Sequence, residues 1–247
     1  MVKRRLKKII LLLTAIVLLA GCRQLPGEDY ETSIYYVPHP DDETLSMGPS
    51  ILYNIDQGKE VIVVLLSKGR ASKVFYSVNK KLEKEQYPAI TLEQFGESRV
   101  AEFRKAAATL GVQEENIYVY DVEDGAFTVE EVMPIIESFS KKYPGALHNV
   151  MSYNDKHRDH ATTGEALRNL LKDHIVENGL YHLPIQRHQK MLYRGSYAVP
   201  TDFDERYQQA LDVYANWLPE EGFYHIGQSS VKSYFERAIL SKESRWH

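Results

Sequence analysis

The feature that most restricts the fold is a repeated switch between short β-branched or aromatic runs and longer amphipathic stretches, running from residue 33 to about residue 171. Residues 33–37 (Ser-Ile-Tyr-Tyr-Val) predict a strand that feeds a polar loop. Residues 61–66 are continuously apolar, the pattern of a strand buried on both faces. Further strands are expected at 117–120 and 148–153. Helices are expected at 48–57, with Pro49 tolerated in the first turn and Gly58 after the end, at 97–110 before Gly111, at about 129–142, and from His160 or Ala161 onward. Strand and helix in this alternation predict an α/β domain whose mostly parallel sheet is covered by helices on both faces. The polar stretch 67–95 is long for a connection and is expected to be a functional loop or excursion. Beyond residue 179 the pattern weakens: 204–217 and 229–241 look helical, and 193–200 reads as strand or loop.

The N-terminus has a different character. Lys3, Arg4, Arg5, Lys7 and Lys8 precede the apolar run 9–20, which is the order of a signal peptide. At roughly 12 residues the run is shorter than the ~20 a membrane-spanning helix needs. It ends in Leu19-Ala20-Gly21-Cys22, which resembles the bacterial lipoprotein processing box. Residues 1–21 are therefore expected to be a lipoprotein signal peptide, Cys22 the lipidated residue, 22–31 a polar tether, and 32–247 the folded domain. Cys22 is the only cysteine and has no partner for an internal disulfide. Several acyl chains on one residue hold a protein stably on a membrane. The expected location is the outer face of the bacterial cytoplasmic membrane, or the outer membrane where the source has one.

Removing residues 1–21 takes away five positive charges and no acid, so the formal charge of −4 becomes −9. A chain this acidic argues against nucleic acid or an anionic lipid surface as a general partner. No Gly-x-Gly-x-x-Gly turn follows the first strand and no phosphate-binding loop occurs, which argues against a nucleotide; the zinc-protease pattern His-Glu-x-x-His is also absent. The roughly 225 residues that remain suit one α/β domain with a real core.

Two clusters carry the chemistry: His39-Pro40-Asp41-Asp42-Glu43 after the first expected strand, and His157-Arg158-Asp159-His160 after the fourth. In open parallel sheets ligands bind beyond the carboxyl ends of the strands. Catalytic zinc is commonly held by three His, Asp or Glu ligands with one position left for water. The two clusters can supply two histidines and a carboxylate, with a further carboxylate to act as base.

These motifs resemble the zinc-dependent deacetylases often called the PIG-L or LmbE-like family, which includes the N-acetylglucosaminylphosphatidylinositol, mycothiol-pathway and bacillithiol-pathway enzymes. The likeness extends to Arg99-x-x-Glu102 with Ala106 and Leu110-Gly111, and to Asp124-Gly125, and covers roughly residues 33–171. It implies a Rossmann-like three-layer fold and a Zn2+ or other divalent ion held by His39, Asp42 and His160. It also implies Asp41 as general base, His157 facing the substrate carbonyl, and Asp159 orienting the ring of His157. The activity implied is removal of acetyl from an N-acetylated amino sugar of the N-acetylglucosamine type at the cell envelope, with Lys68, Arg70 and Asp124 binding substrate. Two other readings stay open: a catalytically inactive glycan-binding lipoprotein, and a metal amidase acting on a non-sugar amide.

The chain also departs from the family. Ser67-Lys68-Gly69-Arg70 stands where Thr-Arg-Gly-Glu is usual, so Lys68 offers a point charge in place of a bidentate fork. Arg158 replaces a common proline, and Asp155 lies where some members carry tyrosine. A substrate different from those of the best-known members is expected. Arg99 and Glu102 read either as a structural pair beneath the site or as a surface ion pair. His148, His174, His182, His188 and His225 have no ligand spacing and are expected at the surface or in the core.

Overall fold

The computed structural model describes residues 29–247; residues 1–28, which hold the expected signal peptide, Cys22 and most of the tether, lie outside the described residues. Five strands run parallel: β1 (Thr32–Val37), β2 (Glu60–Leu65), β3 (Ile117–Val119), β4 (Leu147–Met151) and β5 (Asn178–His182). Two more, β6 (Gly195–Ala198) and a C-terminal strand (Glu243–Trp246), pair antiparallel with each other. Between them in sequence, β7 (Trp217–Leu218) and β8 (Phe223–Tyr224) make a separate two-stranded ribbon, so the C-terminal strand is β9. The main sheet has the order β3-β2-β1-β4-β5-β9-β6.

Helices α1 (Asp42–Leu45) and α2 (Gly48–Asp56) connect β1 to β2, and α3 (Val74–Lys84) and α4 (Leu92–Leu110) lie between β2 and β3. Then come α5 (Val129–Lys142), α6 (Arg158–Lys172), α7 (Asp204–Val213) and α8 (Ile226–Ser241). Side chains alternate across a strand, so one sheet has two apolar faces to cover. Tyr35, Val37, Val63 and Leu65 pack with Leu52 of α2, Phe103 of α4 and Leu211 of α7. Ile34, Tyr36, Ile62 and Val64 pack on the opposite side with Ile136 of α5 and Leu167 of α6. Three layers follow from that alternation, as expected for an α/β sheet that is mostly parallel.

The chain builds outward from β1 to β2 and β3, then returns to place β4 on the other side of β1. This reversal leaves a crevice at the carboxyl ends of β1 and β4, where doubly wound sheets bind ligands. Both polar clusters fall there.

Several boundaries differ from the sequence reading. The stretch 67–95 is an excursion, but it contains α3, whose Val74, Val78 and Leu82 recur every four residues and pack toward Phe95 and Ile226. Helix α4 starts at Leu92, five residues earlier than expected, because Thr91 and Gln94 form a reciprocal capping box. Helix α7 stops at Val213, and Trp217 passes into β7. Residues 193–200 contain β6, while β5 and β9 were not anticipated. Helix α8 begins at Ile226 and is interrupted at Val231 (φ −141, ψ 47).

Candidate active site

The loop after β1 is shaped by its own backbone. Asp41 has φ 127, a left-handed conformation that costs about 1–3 kcal/mol in a residue with a side chain and persists only where its surroundings enforce it. Glu43 is one enforcer: its Oε2 accepts from the Asp41 backbone N–H at 3.0 Å, and its Oε1 accepts from the hydroxyls of Thr44 (2.6 Å) and Tyr214 (2.5 Å). Burial pushes the Glu43 carboxyl up to about 7, against those hydrogen bonds.

Arg99 is the other enforcer. From α4 its guanidinium donates to the carbonyl oxygens of Gly69 and Pro40, each at 2.8 Å, and stands 3.4 Å from Asp41 Oδ2. Gly69 has φ +67, and a Cβ there would lie 2.2 Å from Arg99 Nη1, so only glycine lets the arginine through. Burial lifts Asp41 well above the usual carboxylate range, while the Arg99 charge works against that rise.

The second cluster arrives on the first turn of α6, with His157 at its N-cap. Asp42 Oδ2 lies 3.4 Å from His39 Nδ1 and 3.1 Å from His160 Nε2. Ligand bonds of about 2.0–2.1 Å in a tetrahedron put donor atoms roughly 3.3 Å apart, so both of these distances match an edge of such a site. The remaining ring nitrogens are also committed: His39 Nε2 faces Asp159 (3.0 Å) and Asp124 (3.2 Å), and His160 Nδ1 faces Asp155 at 2.7 Å. A carboxylate behind each imidazole fixes its orientation and raises its basicity toward a metal. The ring nitrogens of His39, His157 and His160 also come within 4.8 Å of one another. The donor set fits a divalent ion of the zinc type.

Charge in the cluster is mutually set. Burial opposes protonation of His39 and His160, but the carboxylates outweigh it, raising His39 well above the usual range and His160 to about 9. Burial also opposes ionisation of Asp42, yet His160 and His39 hold it well below the ordinary value. A bound cation takes the place of such protons. His157 is different, being exposed in a way the other two are not. Burial of part of its ring, with His160 and His39 nearby, lowers its pKa and leaves it neutral.

A cavity of about 340 Å³ opens over these residues. His39, Asp41, Asp42, His157, His160 and Arg99 line its polar side, and Ala71, Ser72, Ile185, Gln186, Ser230 and Tyr234 its other walls. Asp124 lines it too, but one oxygen faces His39 and the other accepts from the Ala71 N–H at 2.7 Å.

Other site expectations land elsewhere. Asp159 is buried against His39 and accepts from the N–H groups of Gly125 and Phe127; it does not orient the His157 ring as expected. Residues two apart on a helix point to different sides, which is the reason. Lys68 and Arg70 are not among the cavity-lining residues. Lys68 pairs with Glu97 (2.5 Å) and Glu93 (3.2 Å), and Arg70 with Glu93 (2.7 Å) and Asp121 (2.6 Å), in a neutralised cluster. Arg99 and Glu102 both lie beneath the site without bonding each other: Glu102 accepts from the N–H groups of Ile226 (2.8 Å) and Gly227 (3.1 Å) at the start of α8. Sequence reasoning assigned no site role to Glu43, Asp155 or Tyr214. Glu43 and Asp155 sit inside or beside the motifs, whereas Tyr214 carries no local signal.

Among curated proteins none matches the chain. Similar solved structures include N,N'-diacetylchitobiose deacetylase from Pyrococcus horikoshii, at 17% identity and TM-score 0.66, covering 93% of this chain and 88% of that one. A 4-carboxy-2-hydroxymuconate hydratase from Pseudomonas putida is similar at 16% identity and TM-score 0.60, covering 88% and 95%. The zinc-inhibited form of a teicoplanin deacetylase is similar at 13% identity and TM-score 0.58, covering 87% and 97%. At these identities the likeness is one of fold. Residues 34–171, more than half of the chain and the part that holds both clusters, match the PIG-L family described as GlcNAc-PI de-N-acetylase, and the protein belongs to that family.

Proposed function

We propose that the protein removes the acetyl group from an N-acetylated amino sugar, an N-acetylglucosamine-type glycan or glycoconjugate, using zinc held by His39, Asp42 and His160. The observation that carries this reading is the Asp42 carboxylate set between two imidazoles, each backed by its own carboxylate, with a second buried acid, Asp41, at its side. Zinc bound there would lower the pKa of a water toward ~7 and polarise the acetamide carbonyl.

The chain's own residues do the rest. Asp41 takes the proton of the attacking water; its buried carboxylate lies next to Asp42 in the chain and 3.4 Å from the Arg99 guanidinium, whose charge favours the ionised form a base needs. Arg99 and Glu43 hold that base in place from two sides. His157, neutral and at the cavity wall, keeps one N–H to donate to the carbonyl oxygen as negative charge develops. Asp41 then returns its proton to the nitrogen, and acetate and the free amine leave.

The neutralised Lys68 and Arg70 argue against a phosphate-directed pocket. The hydroxyls of Ser72, Ser230 and Tyr234 with the Gln186 amide suit sugar hydroxyls instead. Because a hydratase shares the fold, the test follows products: zinc-loaded protein incubated with N,N'-diacetylchitobiose is expected to yield acetate and amine in equal amounts. Stoichiometric zinc without acetate would favour the glycan-binding or non-sugar amide readings. As part of the same proposal, acylated Cys22 tethers the enzyme at the envelope surface. Cys22→Ala is expected to move it out of the membrane fraction, and unchanged retention counts against the anchor.

A further inference from the structure

A second cavity of about 620 Å³ lies beside the first and shares Ile185 with it. Both take a wall from α8: Ser230 and Tyr234 face the catalytic cavity, and Ser233, Arg237 and Leu240 face the second. From residue 232, just past the interruption, to residue 241 at 1.5 Å per residue, that wall extends about 14 Å. At the N-terminal end of α8 the Ser230 and Ser72 hydroxyls stand 3.5 Å apart, so the two sides of the catalytic cavity meet there. The second cavity adjoins the first at Ile185 and offers room for a longer ligand.

Its lining is chemically open. Among the described residues, the exposed side chains of Arg237, Gln189 and Ser233 make no hydrogen bond or ion pair. Arg245 in the same cavity is by contrast committed to Glu243 and to the His188 carbonyl oxygen. Leu240 is 85% exposed, and Tyr234 lines the first cavity with its ring packed against the core and its hydroxyl making no hydrogen bond. Free amide, hydroxyl and guanidinium donors beside apolar surface are what a chain of sugar rings uses, with hydroxyls for the donors and ring faces for the apolar groups.

We propose that this groove along α8 binds the sugar residues that follow the reacting one, so the preferred substrate is an acetylated oligosaccharide and not a single sugar or a disaccharide. The inference rests on the deacetylase reading above, and the experiment separates the two. Binding of chitobiose and of chitopentaose, both fully N-acetylated, is measured by calorimetry on the Asp41→Asn protein, and acetate release is measured on the otherwise unaltered protein. The pentasaccharide is expected to bind and react at least tenfold better. Arg237→Ala is expected to reduce that advantage about tenfold, the scale of one good hydrogen bond, with turnover of the disaccharide unchanged. Gln189→Ala, also exposed and outside the catalytic cavity, provides a second variant with the same expected pattern. Equal affinity and equal kcat/KM for both lengths overturn the groove, as does an advantage that survives both substitutions. An Arg237-dependent binding advantage without acetate release from either sugar leaves the groove standing and overturns the deacetylase reading.

Discussion

The parallel part of the molecule, β1 to β5, and the part after residue 182 contribute to the cavity in opposite ways. The first supplies the charged groups that line the cavity: His39, Asp41 and Asp42 after β1, Asp124 after β3, His157 and His160 after β4, and Arg99 from α4. The second supplies neutral walls, Ile185, Gln186, Ser230 and Tyr234, together with two supports. Tyr214 donates to Glu43 behind the base, and the start of α8 donates two N–H groups to Glu102. Strands buried on both faces give the chemistry a rigid base. The later segment, joined by antiparallel edge strands and an interrupted helix, shapes the space a substrate enters.

The sharpest way to break this division is to remove a group from the parallel part. Asp41→Asn is expected to lower kcat by about 10²–10⁴-fold, the usual weight of a general base. His157→Ala is expected to cost about 10²–10³-fold, the weight of one oxyanion donor. Steady-state acetate release with metal content measured alongside checks both, and loss of metal in either variant would assign the ligands differently.

A smaller effect tests the supports. Tyr214→Phe leaves Glu43 with one fewer donor in a fully buried site, and a stability loss of about 1–3 kcal/mol is expected by urea unfolding. A kcat decrease smaller than that of His157→Ala should accompany it, because Glu43 holds the Asp41 backbone. Unchanged kcat would confine the C-terminal part to wall-building.

The pH dependence sharpens the same contrast. His148 on β4 and His182 on β5 are buried, which lowers them to about 4 and about 3. Both are neutral when folded but protonate near pH 6.5 when unfolded, so the unfolded chain binds more protons below that pH. Their contribution is present above about pH 6.5 and is lost as pH falls toward 4 and then 3. Glu43 and Glu102, raised to about 7 by burial, pull the other way over the same range, so the test is the difference between two proteins: from pH 7 to pH 4 the unfolding midpoint of His182→Gln is expected to gain on that of wild type as the pH falls. A difference that does not change with pH would mean that the His182 ring is not held neutral by the sheet.

The smallest effect is expected at the rim. Lys68→Ala should change KM less than about threefold, since exposed ion pairs of this kind are worth 0–1 kcal/mol and Lys68 does not line the cavity. A large rise in KM would return Lys68 to the substrate.

What was legible in the sequence follows from which interactions are local. Helix α5 was read at about its observed bounds, and its start is set locally by the capping box between Thr128 and Glu131. Strands β1 and β2 announce themselves by composition. Helix α3 did not, because only Val78 and Leu82 are buried, Val74 and Phe75 are partly covered, and most of its other residues are polar and exposed. Strand β9, Glu-Ser-Arg-Trp, has no apolar run at all; its place depends on antiparallel partners some 50 residues earlier in β6. The site divides in the same way. The proposed ligand positions sit in two short motifs, whereas the reach of Asp159 to His39 and of Tyr214 to Glu43 spans 120 and 171 residues and needs the fold.

The central claim, that Asp42 is a metal ligand between His39 and His160 while Asp41 is the base beside them, is tested most directly by metal content and acetate release in three proteins. Wild type and Asp41→Asn are expected to bind one zinc each, His160→Ala to bind none, and only wild type to release acetate from an N-acetylated sugar. Full zinc in His160→Ala, or undiminished acetate release by Asp41→Asn, would contradict the account.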